Sequence, residues 1–326
     1  MALIRQSPED FQVFELPAFE PAGTGEHVLL GVEKRGANTD WVADELARFC
    51  GLARRDVSYA GRKDRNALTV QRFSLHMPGQ ASPDFSQFDC PGVRVLSMER
   101  HDRKLRRGAL AGNRFQITLR ELDEAGLQII EQRLPAMIEQ GFPNYFGSQR
   151  FGRDGRNWQQ AQRWLIHKAF KPRRNQREML LSAARSAFFN AALSQRIEQG
   201  DWLAVQSGDT LQLAGSQSIF VADDSADLDQ RVRTGDLSPA LALPGGDSPA
   251  TAFAGVDPDT QEAWRAALHR ERLDASWRAA RVIPAELSAQ RGPAPGSLVL
   301  EFCLPPGCFA TALLDELVDC REAAPD

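Results

Sequence analysis

The spacing of apolar residues changes period several times along the chain. His27 to Val32 reads as a strand, whereas Thr39 to Phe49 carries Val42, Leu46 and Phe49 at helical spacing on one face. Leu68 to Leu75 alternates again, which predicts a second strand. In Arg114 to Arg120, Phe115, Ile117 and Leu119 fall on one side and polar residues on the other, the pattern of a half-buried strand. Leu122 to Ile138 has helical spacing despite Pro135. Strands and helices are interspersed without regular strand-helix-strand repetition, which predicts an α+β fold rather than a doubly wound sheet.

From about Gly155 the pattern turns helical, over Trp158 to Phe170 and over the Ala-rich stretch Glu178 to Ile197. A Gly/Asp-rich stretch, Gly208 to Gly246, contains a short strand at Thr210 to Leu213, and helical segments follow around Gln261 to Arg281. Arg291 to Ser297 is a Pro/Gly loop, after which Leu298 to Leu304 reads as a strand and Phe309 to Val318 as a closing helix. A late strand of high β-propensity pairs well with the early ones. The middle therefore reads as an insertion: residues 1–152 with 285–326 form one expected domain and 153–284 the inserted one. There is no internal repeat.

A length of 326 residues leaves room for about two domains and a sizeable core. With 42% apolar and 25% charged residues, disordered and fibrous classes are excluded. No apolar run approaches the ~18 residues of a membrane span, and Met1 to Asp10 lacks a signal-peptide layout, so a cytoplasmic protein is expected. Five cysteines, odd in number and without a Cys-x-x-Cys, point to core residues or free thiols. The net charge of −4 argues at first against a polyanionic partner. Divided along the chain it says something else. Arg94 to Arg185 holds 19 basic and 9 acidic residues, a net of +10, and the remainder carries −14. Such a basic middle third suits a face that meets phosphates, or a solvated Arg-rich surface.

Phosphate-loop, dinucleotide, zincin and serine-hydrolase motifs are absent, and the five histidines are scattered without helical pairing, so no metal site is expected. The sharpest polar segment is Gly61-Arg62-Lys63-Asp64-Arg65-Asn66-Ala67, at the mouth of the strand beginning at Leu68. Cationic neighbours favour the charged form of a carboxylate, as a nucleophile or base among phosphates requires. A turn aspartate satisfying backbone amides explains the same tripeptide. Gly112-Asn113-Arg114-Phe115 and Asn144 to Gly152 interleave aromatic residues with Arg and Asn. That mixture stacks and hydrogen-bonds unpaired bases, although core Phe with capping Asn accounts for any one residue.

Taken in order, these segments resemble the TruD family of tRNA pseudouridine synthases. The likeness runs through Pro8 to Glu15, Gly25-Glu26-His27, Gly61 to Ala67 with Gln71, His101 to Arg106, Gly108 to Phe115 and Asn144 to Gly152. It continues through Leu181 to Asn190 and Leu304 to Thr311. Two departures stand out: Asp315 where the family usually has Arg, and a loose match over Ser238 to Gly246. The resemblance implies a cofactor-free enzyme that isomerises a uridine in the D-arm of tRNA, by family name at position 13. It implies a pseudouridine-synthase domain with a central, mostly antiparallel sheet, interrupted by a TruD-specific α/β domain, with RNA across the basic cleft. Carried over residue by residue, Asp64 is the catalytic aspartate, and Phe11, Phe115 and Phe309 lie near the target base. Asn113 bonds the substrate or fixes Asp64. Lys63 and Arg65 keep the carboxylate ionised and meet phosphate, and Arg100, Lys104, Arg106 and Arg150 are further phosphate contacts.

Two other functions fit parts of the pattern. A tRNA-binding or tRNA-folding protein without catalysis would retain the same basic cleft. An unrelated α+β enzyme acting on a small anion would use the same Arg cluster, but with little of the salt dependence of a many-phosphate ligand. The expected partner is tRNA, with no membrane and no protein partner, and the expected state is a monomer.

Overall fold

The computed structural model describes residues 1–223 and 225–323. Contacts divide it into two compact units: the first holds residues 1–138, 284–307 and the segment from Leu317, the second residues 139–283 and 308–316. The sequence expectation drew its lines at 152 and 284. No helix among the described residues is long and apolar enough to cross a membrane.

The first unit begins with β1 (Ala2–Ile4), β2 (Phe11–Pro17), β3 (His27–Arg35), α1 (Thr39–Phe49), β4 (Val57–Tyr59), β5 (Leu68–His76), β6 (Val93–His101), β7 (Leu110–Leu119) and α2 (Glu124–Gln140). The second contains β8 (Phe142–Pro143), α3 (Arg156–Leu165), α4 (Arg174–Glu198), β9 (Thr210–Leu213), β10 (Ile219–Val221), α5 (Leu228–Arg233), β11 (Leu237–Leu243), α6 (Pro258–Arg270), β12 (Ser276–Ala279) and β13 (Arg281–Val282). The chain then returns with β14 (Ala285–Arg291) and β15 (Leu298–Leu304). Helix α7 (Ala310–Leu317) lies in the second unit but for its last residue, and β16 (Cys320–Glu322) belongs to the first.

An eight-stranded sheet, ordered β14-β15-β7-β2-β5-β3-β6 with β4 paired to β5, forms the first unit. Only β2 and β5 run parallel within it, so the fold is α+β with a mostly antiparallel central sheet. Val42, Ala43, Leu46 and Ala47 recur at three- and four-residue spacing on α1, and pack on Val28, Leu30 and Val32 of β3 and Phe73 and Leu75 of β5. Phe49, expected on that stripe, is exposed and meets Phe85 and Phe88 beside it. Strands β1 and β16 form a separate parallel pair.

In the second unit the Trp158 and Trp264 rings stack at 5.2 Å with Phe188 edge-on to both, joining α3, α4 and α6. A four-stranded antiparallel sheet, β10-β9-β11-β12, lies against α4. The helical segments expected to reach Arg281 stop at Arg270. Arg272 takes a left-handed conformation, which turns the chain, and Ser276–Ala279 then pairs with β11. Sheet pairing thus overrides the helical propensity of this Ala/Arg-rich stretch.

Candidate active site

Asp64 stands on the loop between β4 and β5, and polar side chains from three other elements hold that loop. Thr39 at the start of α1 accepts the Lys63 amide at 3.0 Å and donates to Gln71 at 2.9 Å, and Gln71 in turn donates to the Gly61 carbonyl at 3.1 Å. From below, fully buried Lys34 donates to the Asp64 carbonyl at 2.7 Å and the Ala37 carbonyl at 2.8 Å. Burial pulls the Lys34 ammonium down to about 8, against the opposing attraction of Asp64. The Asp64 carboxylate, 33% exposed, is left facing outward and receives Arg5 Nη2 at 2.9 Å.

Arg5 is itself 5% exposed and takes a left-handed backbone conformation. Its guanidinium lies 4.0 Å from the centre of the Phe11 ring and also bonds Glu322. The expected neighbours do other things. Lys63 makes a buried ion pair with Glu15 at 2.8 Å, the two side chains being 6% and 3% exposed, and exposed Arg65 reaches the Gly36 carbonyl at 3.4 Å. The cation paired with the Asp64 carboxylate is Arg5, and Lys63 turns under the loop to give buried Glu15 its counter-charge.

Cross-strand register sets the side chains beneath the loop on one face of the sheet. Phe302, Phe115, Val13, Thr69 and Lys34 form one row across β15, β7, β2, β5 and β3, and Leu304, Asn113 and Glu15 begin the next. Asn113 Oδ1 and Thr69 Oγ1 are buried there without hydrogen-bond partners. Such groups cost free energy unless a ligand supplies the missing bond. Phe115 stacks on Phe302 at 5.2 Å and meets the edge of Phe11 at 6.3 Å. Phe11 and Phe115 are almost fully buried, so they are a floor under the face and not open stacking platforms.

The basic candidates separate by what already occupies them. Arg100 acts as a strut: its guanidinium donates to Ser82 at 2.9 Å and to the carbonyls of Gln80, Met77 and Gly25 at 2.6, 3.3 and 3.4 Å. Lys104 donates to the Arg55 carbonyl at 3.2 Å, and among the described residues the exposed Arg106 side chain has no hydrogen-bond or ion-pair partner. In the second unit, Arg150 donates to Ser182 at 2.9 Å and lies over the rings of Phe146 and Phe309, at 5.2 and 5.7 Å. Arg278 covers Phe146 at 4.1 Å and donates to the Asn144 carbonyl at 3.1 Å. Burial lowers both guanidiniums, Arg278 to about 10, and the charge of Arg150 pushes Arg278 the same way.

Arg5, Glu15 and Lys34 were not among the sequence candidates. A signal for two of them exists: Lys34 is in phase with buried Val28, Leu30 and Val32, and Glu15 with buried Phe11 and Val13. A charge on the inward phase of a strand must be paired or hydrogen-bonded.

The TruD family model, described as tRNA pseudouridine synthase D, matches residues 1–172 and 166–317. A protein of Xanthomonas euvesicatoria pv. vesicatoria named tRNA pseudouridine synthase D is 44% identical, the match covering 99% of this chain and 92% of that protein. One of the same name from Xanthomonas campestris pv. campestris (strain 8004) is 43% identical over 99% and 93% of the two chains. A crystal structure from Methanosarcina mazei assigned to tRNA pseudouridine synthase D shares the fold, with a TM-score of 0.70 at 21% identity over 97% of this chain and 93% of that one. With relatives this similar across nearly its whole length, the chain belongs to the tRNA pseudouridine synthase D (TruD) family.

Proposed function

We propose that the protein isomerises uridine 13, in the D-arm of tRNA, to pseudouridine, with Asp64 as the essential carboxylate and no cofactor. The observation that carries this reading is the Asp64 carboxylate, ion-paired to buried Arg5 and held outward above a face with two unpartnered polar atoms. The reaction breaks the N-glycosidic bond, turns the uracil and rejoins it to the ribose through carbon, so no atoms are gained or lost. It needs one ionised carboxylate and a pocket that retains the free base. Arg5 pairs with the Asp64 carboxylate at 2.9 Å. Asn113 offers a hydrogen bond to the polar edge of the uracil, over the floor formed by Phe115 and Phe11.

The target nucleotide must leave its stack, which costs a few kcal/mol, and contacts along the RNA supply that energy. Catalysis belongs to the first unit, and Arg150 with Phe309 gives the second unit its own RNA-contacting pair. The protein acts as a cytoplasmic monomer. The test is incubation of purified protein with unmodified tRNA transcripts, mapping pseudouridine by carbodiimide-blocked primer extension. A new D-arm stop is expected with the wild type. Asp64→Asn should lower turnover by a factor on the order of 10³ or more while tRNA affinity stays within a few fold. Wild-type protein that binds tRNA but yields no stop would make it a binding or folding factor.

A further inference from the structure

We propose that Lys34 is a positioning residue for the reaction at Asp64: its buried ammonium anchors the main chain of the loop that carries Asp64, so turnover depends on that ammonium while RNA affinity does not. The inference rests on the isomerase reading with Asp64 as the essential carboxylate, and deepens it by one residue. Lys34 follows Val28, Leu30 and Val32 on the inward phase of β3, and all four are fully buried. A fourth apolar side chain would continue the core, whereas a buried ammonium costs stability unless it is compensated. Its two hydrogen bonds go to carbonyls, of Asp64 at 2.7 Å and Ala37 at 2.8 Å, and not to a carboxylate. Burial is the main influence on its proton and pulls the group down to about 8; Asp64 favours the ammonium and Lys63 opposes it. The residues opposite it on β5 and β6, Thr69 and Val93, carry no charge.

What this ammonium holds accounts for its presence. The Ala37 carbonyl belongs to the turn between β3 and α1 and the Asp64 carbonyl to the loop between β4 and β5, so one side chain ties the two segments together. On the other side of Asp64, Thr39 fixes the Lys63 amide at 3.0 Å. With the chain anchored before and after Asp64, the direction of its side chain is set, and the carboxylate meets Arg5 Nη2 at 2.9 Å. Charge-assisted hydrogen bonds are roughly twice as strong as neutral ones, so loss of the Lys34 proton slackens the anchor after Asp64. A reacting group displaced by about 1 Å loses on the order of 100-fold in rate, and a partly loosened loop loses about tenfold.

The test follows wild type and Lys34→Met (K34M) from about pH 7 to about 9.5, measuring pseudouridine formation as kcat and KM, tRNA affinity, and stability in urea. At neutral pH, K34M should show a kcat lower by about tenfold, a KM within about twofold of wild type, and stability no lower than wild type. As pH rises through about 8, the wild-type kcat should fall towards that of K34M while wild-type stability rises, because burial favours the neutral amine. A residue that only supported the fold would lose turnover and stability together. The RNA titrates alike with both proteins, so the ratio of their kcat values removes its contribution. Equal kcat at neutral pH, or a ratio that stays constant across the window, would overturn the proposal. Should K34M not fold, the wild-type profile decides: kcat that falls with unchanged tRNA affinity supports the anchor, and kcat that holds level while stability rises overturns it. If wild type forms no pseudouridine, the isomerase reading fails, and hydrogen exchange at the bonded Lys63 and Ala67 amides still judges the anchor. Exchange there should be about tenfold faster in K34M, and equal rates would refute it.

Discussion

Around Asp64, two buried cations meet acids, Arg5 binding Asp64 and Glu322 and Lys63 binding Glu15, while Lys34 is held by carbonyls. Around Phe146 in the second unit, Arg150 lies over ring faces and donates to the Ser182 hydroxyl, and Arg278 covers the Phe146 ring and donates to the Asn144 carbonyl. The first arrangement balances its charge internally, so removing one partner strands the other in a low-dielectric setting. In the second, Arg150 has no carboxylate partner among the described residues, its Nε is buried without a hydrogen-bond acceptor, and burial lowers its pKa. Charge of that kind is relieved by an anion from outside. The contrast separates a cluster that holds the Asp64 carboxylate from one in which a buried guanidinium keeps an unfilled donor.

The largest expected effect is on the internally balanced side. Glu15→Gln leaves the Lys63 ammonium buried without its carboxylate and should cost roughly 3 kcal/mol or more in urea denaturation. The E15Q/K63M double variant should regain most of that loss. If E15Q costs less than 1 kcal/mol, the buried pair is no more structural than a surface pair and the contrast collapses.

Next comes Lys34, a cation held by carbonyls. Its folded value of about 8 lies below its ordinary 10.5, so between those values the unfolded chain binds more protons. Stability contributed by this group therefore rises with pH from about 8 to 10.5, by up to about 3 kcal/mol at 1.36 kcal/mol per unit. The burial cost is fully present below pH 8. Denaturation curves for wild type and K34M across this window should converge or diverge by that amount, and parallel curves would show that Lys34 does not titrate there.

The smallest expected effect is on stability at Arg150. Arg150→Met strands no carboxylate, so its folding free energy should stay within about 1 kcal/mol of wild type, while tRNA affinity falls several-fold. A loss near that of E15Q would place Arg150 with the internally balanced group.

Elements with strong periodicity were legible from the sequence. The Thr39–Phe49 helix and the Thr210–Leu213 and Leu298–Leu304 strands have their expected bounds, since apolar spacing there agrees with packing. Residues 276–282 were not legible, because short strands of Ala and Arg owe their form to a partner such as β11. The Gly61 to Ala67 segment identified the loop, but adjacency misassigned its electrostatics. Lys63 and Arg65 neighbour Asp64 in sequence, whereas the ion pair comes from Arg5, 59 residues away. Likewise nothing in the local sequence shows that Arg100 ties Gly25, Met77 and Gln80 together through their carbonyls. Spatial pairing across a sheet is long-range information that local spacing does not hold.

The parallel pairing of β1 with β16 carries a consequence in time. The Arg5 to Glu322 ion pair joins positions 317 residues apart, at the end of the same two strands. At about 5 to 20 residues per second, a ribosome that has finished Arg5 takes roughly 15 to 60 s to make its partner. During that interval the guanidinium beside Asp64 lacks one of its two carboxylates, and residues 2–4 lack the strand edge that covers them. The nascent chain therefore reaches this ion-paired geometry late, only after the segment that carries β16 has been made.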